Sequence, residues 1–255
     1  MDCSPVASES VFAFLEDLLQ VGDFPDYSGA WNGVQLQPPR TLNKVAVAVD
    51  ASLATIQGAV EVGADLLLVH HGLFWDPDPR LVGPRFERIK ALLEGKVGVY
   101  AVHLPLDAHP EVGNAAELAR EVGIHLEGRF GEGKGVEVGW WGVVGASREA
   151  FQQEVARVVQ RPVRLIPGGP AEVGRVGVVT GAGGNFVRDA AEKGLDTLLT
   201  GEGPHHTFVE AMEYGVNVLY AGHYATETWG VKAVARRLQE RFGLPWHFVD
   251  VPSGL

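Results

Sequence analysis

Cysteine is nearly absent, Cys3 being the one thiol in 255 residues. A lone cysteine permits no intrachain disulfide and no thiolate zinc site, and it suits a reducing cytosol. A basic start is absent too. Residues 1–20 hold Asp2, Glu9, Glu16 and Asp17 and no Lys or Arg, so no signal peptide is expected and the expected location is the cytoplasm. No apolar run approaches the roughly 18 residues that would mark a membrane span. Positive charge is scarce: 21 Lys and Arg stand against 32 Asp and Glu, for a net charge of −11. That balance argues against a nucleic-acid partner, which needs a basic face. The densest basic stretch, RFERIK (85–90), reads as a helix face.

What is present is a pattern stated twice. KVAVAVD (44–50) and GADLLLVHHG (63–72) are matched by RVGVVTG (175–181) and GLDTLLTGEG (194–203), each 131 residues on. YAVH (100–103) is matched by YAGH (220–223), 120 residues on, so the second copy has lost about 11 residues of loop. Four residues past each His comes a carboxylate, Asp107 and then Glu227. Hydrophobic residues make up 46% of the chain, enough for real cores. The expectation is an α/β fold of two similar lobes from an internal duplication, 1–127 and 128–255. Each lobe would carry a mostly parallel sheet flanked by helices, with a metal site between the lobes.

Local signals fill in this frame. Residues 8–20 read as an amphipathic helix capped by Ser8 or Ser10, and 21–40, rich in Gly, Pro and aromatics, as loop. KVAVAVD is β-branched strand material. Ser52 caps a helix, and so does Ser147. DLLLVHH is a near-continuous apolar run, as in a strand buried on both faces. Pro105 marks HLPLD (103–107) as an extended loop. The Gly-rich stretch 126–140 reads as the turnover between halves.

Ligands of parallel sheets gather at the carboxyl ends of strands. His70, His71, His103, Asp107, Gly181–Gly184, Glu202, His223 and Glu227 all fall at or just past such ends. An isolated His-His pair puts one ring in the core and one in solvent, because adjacent strand residues face opposite ways. At a strand end followed by Gly72, both rings can serve one cluster. Several His and two carboxylates without Cys suit Zn²⁺, Fe or Mn²⁺. Two such ions need a bridging carboxylate and lower the pKa of a bound water. Glu227, the longer carboxylate, is the expected bridge, while Asp107 has helix capping as its alternative role. Glu202, His103 and His206 are candidate proton shuttles. TGAGGNF (180–186) either offers N–H groups to a phosphate or makes a tight strand-to-helix turn. Trp31, Trp75, Trp140 and Trp141 read as packing or interface residues, since no basic groove accompanies them.

Together LLLVHHGLFW (66–75), HLPLDAHPEVGN (103–114), TGEGPHH (200–206) and AGHYATE (221–227) give the chain, over essentially its whole length, a resemblance to the Nif-three-like dinuclear metal centre proteins, the GTP cyclohydrolase 1 type 2 homologs. The resemblance implies two divalent ions held by His70, His71, Asp107, His223 and Glu227, with His103 close by, and a toroidal homohexamer. It also implies a hydrolase whose small-molecule substrate is a nucleotide or related phosphorylated heterocycle. The alternative is a metal-delivery protein or oligomeric scaffold without turnover. The chain departs from the family pattern at WNGVQL (31–36), where an Asp-Asn-Gly-like sequence is usual, and it lacks a large inserted domain.

Overall fold

The computed structural model describes residues 5–75 and 80–255, so Cys3 and part of the 72–84 loop lie outside the described residues. The chain forms two compact units, Met1–Leu106 with Val231–Val251, and Asp107–Gly230 with Pro252–Leu255. It leaves the first unit within the short helix Leu104–Ala108 and re-enters it within the helix Thr228–Phe242.

The first unit is built on a five-stranded sheet in the order Trp246–Phe248, Val45–Asp50, Leu66–His71, Gly98–Ala101, Gly33–Leu36. The first four strands run parallel and the last is antiparallel. Val45 to Val49 and Leu66 to Val69 are all buried, which is why both segments read as unbroken apolar runs. Ile56, Leu67, Leu92 and Val99 anchor the core between this sheet and its helices. The strand Gly33–Leu36 corrects the expectation that 21–40 is loop throughout. A four-residue edge strand among prolines and glycines carries too little periodicity to show in the sequence.

The second unit is also α/β, but its six-stranded sheet is not mostly parallel as expected. The order is His125–Gly133, Val136–Ser147, Glu172–Val179, Thr197–Thr200, Asn217–Tyr220, Arg164–Pro167. Only the two junctions among Glu172–Val179, Thr197–Thr200 and Asn217–Tyr220 are parallel; the other three are antiparallel. The glycines of 126–140 misled the reading, because most of that stretch is an antiparallel hairpin rather than loop. Lys134 (φ 56°) and Gly135 (φ 82°) form its two-residue turn, and two consecutive positive φ values match the right-handed twist of the flanking strands. Gly139 and Gly177 make room for the buried Phe130 ring, where an added Cβ would come within 2.7 and 2.4 Å of it.

Four strands of each unit share one arrangement. Gly33–Leu36, Gly98–Ala101, Leu66–His71 and Val45–Asp50 follow one another as antiparallel, parallel, parallel. Arg164–Pro167, Asn217–Tyr220, Thr197–Thr200 and Glu172–Val179 do the same.

Ser52 and Ser147 cap their helices, accepting the Thr55 and Ala150 N–H groups. Replacing either by Ala is expected to cost about 1 kcal/mol in a denaturant titration. A loss below a quarter of that would mean the helix start is held by packing instead. Ser8 is not a cap: Ala7 holds that position and the Ser8 hydroxyl donates to the Arg40 carbonyl. HLPLD is not extended either. Leu104–Ala108 is one helical turn, which accepts Pro105 because the first turn has no use for its missing N–H. Among the described residues no helix is long and apolar enough to cross a membrane.

Candidate metal centre

The first unit contributes three histidines. His70 and His71 end the strand Leu66–His71, and His103 follows the strand Gly98–Ala101. One ring nitrogen of each lies within 4.8 Å of the other two. The centroids of His70 and His71 are 4.6 Å apart, and those of His70 and His103 5.0 Å. The end of the strand lets two consecutive residues serve one cluster. His70 is buried and His71 half-buried.

Each ring is held through Nδ1. His70 donates to the Val102 carbonyl at 2.9 Å, His71 to Asp50 at 2.8 Å and His103 to Asp26 at 2.8 Å. A carbonyl or ionised carboxylate only accepts, so the proton sits on Nδ1 and the neutral ring presents its lone pair at Nε2. Ligating histidines are oriented in this way. Asp26 is itself enclosed, accepting from Asn32 Nδ2, the Leu104 N–H and the Tyr27 N–H. Burial pushes its carboxyl up, yet the bonds and charge of His103, with Asn32 and Tyr27, outweigh that and hold it below the usual carboxylate range. Asn32 also accepts the His103 N–H at 2.8 Å, so the motif departure at WNGVQL still places an amide on the site.

The second unit contributes Asp107, His223 and Glu227. Glu227 is 3% exposed and Asp107 9%. Their carboxylate oxygens lie within 4.8 Å of each other. Asp107 accepts from Asn114 at 2.9 Å and Thr180 at 3.1 Å, and it does not cap the following helix, whose cap is Gly113. His223 again fits the pattern, with Nδ1 2.7 Å from Glu202 and Nε2 3.2 Å from Glu227. The bond to Glu227 pushes the His223 imidazolium up to about 9. Burial opposes this, while the charges of Glu227 and Glu202 assist. Two buried carboxylates are costly charges to remove from water, and a divalent cation is the partner that offsets them. The donor set therefore fits such an ion.

Gly181, at φ 61°, makes this half possible. A Cβ there would stand 2.1 Å from Glu227 Oε1 and 3.2 Å from His223 Nε2. The rest of Gly181–Gly184 is a locked turn. The Gly181 N–H goes to Thr226 Oγ1, the Gly184 N–H to the Glu202 carbonyl, and the Gly181 carbonyl accepts from Glu202. Those two amides are thus committed internally rather than offered to a phosphate. Among the expected proton shuttles, His103 lies in the histidine cluster and Glu202 holds His223. His206 is exposed at the start of the helix His206–Tyr214.

Asp26 and Asp50 were missed in the sequence. Asp50 ends a strand, pairs in register with His71 and obeys the same carboxyl-end rule that marked the histidines. Asp26 carries no comparable signal, lying in a loop 77 residues from its partner.

A family model described as Duf34/NIF3 (NGG1p interacting factor 3) matches residues 6–253. A protein of Deinococcus radiodurans named GTP cyclohydrolase 1 type 2 homolog is 43% identical over 254 residues, covering 98% of this chain and 95% of that one. A homolog of the same name in Halobacterium salinarum is 42% identical over 261 residues, covering all of both chains. A solved structure from Thermus thermophilus superposes with a TM-score of 0.89 at 39% identity, covering 98% of this chain and all of that one.

Proposed function

The chain belongs to the Duf34/NIF3 family, and on that premise we propose that it is a metal-dependent hydrolase with a two-metal centre. His70, His71, Asp107, His223 and Glu227 are its ligands, and Glu227 is the bridge. The observation that carries this reading is the fixing of the three ligand histidines through Nδ1, on Val102, Asp50 and Glu202, the outer layer that ligating imidazoles almost always have, with His103 held the same way on Asp26.

When bound, two divalent ions supply Lewis acidity and a nucleophilic water near neutral pH. The chain's own residues do the rest. Asp50 and Glu202 hold the rings of His71 and His223 in place. His103, braced by Asp26 and Asn32, carries a proton at Nε2 to or from the leaving group. The substrate class, a nucleotide or related phosphorylated heterocycle, is taken from the name that the relatives share.

Metal-loaded protein screened against GTP, other nucleotides and phosphoesters tests the reading. His70→Ala and Glu227→Gln are each expected to lower turnover on the order of a hundredfold, as loss of a ligand or its orientation does. Turnover unchanged in both variants would remove the site assignment. Bound metal with no turnover on any substrate would favour metal delivery or a scaffold instead.

We also infer that the units arose by duplication. Their four-strand arrangement is shared, and Gly33–Leu36 and Arg164–Pro167 stand at the same 131-residue offset as the motifs. The toroidal hexamer belongs to the same reading, and sedimentation checks it.

A further inference from the structure

The histidine cluster of the first unit is bordered by aromatic rings that its own core does not use. Tyr27 and Trp75, which meet the His103 ring, are 51% and 36% exposed, and Trp31, on the same loop as Tyr27, is 66% exposed. The sequence reading made Trp31 and Trp75 packing or interface residues; Trp31 is exposed, and Trp75 packs in part against Tyr27, His71 and His103. Large apolar rings left in water beside a polar cluster favour a ligand that covers them.

The loop that carries two of these rings is fastened to His103 at both ends. Asp26 accepts from His103 Nδ1, and Asn32 accepts the His103 N–H. Tyr27 stands just inside the first anchor and Trp31 just inside the second. Trp31 has φ 45°, a left-handed conformation that a bulky residue adopts at a cost. Gly29, between them, lies against Trp75, where a Cβ would stand 3.0 Å from the Trp75 carbonyl oxygen. The Trp75 ring meets His103 edge-on at 4.8 Å and His71 at 6.0 Å. Tyr27 lies 5.8 Å from His103 and 6.5 Å from Trp75, tilted by 55°.

We propose that Tyr27 and Trp75 form a stacking subsite for a single nucleobase, which places the rest of the ligand toward His71 and His103. The proposal rests on the hydrolase reading and narrows its substrate class to ligands with a planar heteroaromatic ring. Stacking uses the π-face and tolerates any base. One base needs no basic groove, so the acidic charge that argues against a nucleic-acid strand does not argue against a nucleoside.

Guanosine and inorganic tripolyphosphate separate base from phosphate in equilibrium dialysis of the full metal-loaded chain, with metal content assayed on the same samples. Wild type is expected to retain guanosine. Tyr27→Ala and Trp75→Ala should each weaken that retention by roughly tenfold, the usual consequence of removing one stacking ring, with Trp75→Phe recovering most of it. Tripolyphosphate binding should be the same in all variants. Guanosine binding unchanged in both Ala variants would overturn the subsite, as would metal-loaded wild type that retains none. A changed assembly size in the variants with unchanged guanosine binding would overturn it as well, marking the rings as a contact between copies. Wild type that takes up no metal would fail the metal-centre reading alone, and guanosine retention would still decide the subsite.

Discussion

Protein purified without chelator is expected to carry about two divalent ions per chain, and Glu227→Ala one or none. The size of the effect follows from position. Glu227 is buried, stands 3.2 Å from His223 Nε2, and has an oxygen within 4.8 Å of Asp107. Truncating it removes a donor common to both proposed ions and leaves Asp107 and His223 without the oxygen that links them. Circular dichroism of the variant checks that the helix Thr228–Phe242, which begins at the next residue, is intact. Two ions retained by a folded Glu227→Ala protein would show that Glu227 is no ligand. Metal-free wild type that also refuses Zn²⁺, Mn²⁺ and Fe²⁺ would leave the histidines as structural groups.

Metal uptake is expected to expel a proton at neutral pH. In the metal-free protein the His223 imidazolium is held up to about 9, chiefly by its hydrogen bond to Glu227. Its ordinary value is about 6.5. Because the folded value is the higher one, this pairing stabilises the metal-free fold fully below about pH 6.5, and the contribution is lost as pH rises through about 9. A cation at Nε2 must displace that proton. Apparent affinity should therefore fall by about tenfold for each pH unit lost between 9 and 6.5, from this one group alone. In weakly buffered solution at pH 7.5, wild type should release about one more proton per chain on Zn²⁺ addition than His223→Asn does. Equal release from the two proteins would place the metal elsewhere.

The extent to which the sequence disclosed this molecule follows the range of each signal. Strands such as Val45–Asp50 and Leu66–His71 are buried on both faces, and that burial is written directly as uninterrupted apolar residues. The repeat of His and carboxylate after matching strands marked Asp107, His223 and Glu227, while His70 and His71 stood out only as a pair at a strand end and joined the ligand set through the family resemblance. The hairpin 125–147 was illegible because its glycines answer to tertiary demands. Gly139 yields space to Phe130, and Gly135 takes a turn conformation, yet both resemble loop composition. Asp26 was illegible for a different reason: its meaning comes from His103, and no local spacing encodes a partner so far along the chain.

The acceptors at Val102, Asp50, Asp26 and Glu202 have a consequence for how an ion would enter. They fix the four imidazoles as part of folding, so no ring needs to be recruited when a cation arrives. A small zinc domain, by contrast, orders itself around its metal. In this chain folding and loading would then be separable events, and ions would exchange within an intact protein. Preset nitrogens and carboxylates also discriminate poorly among borderline divalent ions, whose relative affinities follow their intrinsic order. Which ion the proposed centre took up would then be decided by the pool of free metal around the protein, and a shift in that pool would change the occupant without unfolding the chain.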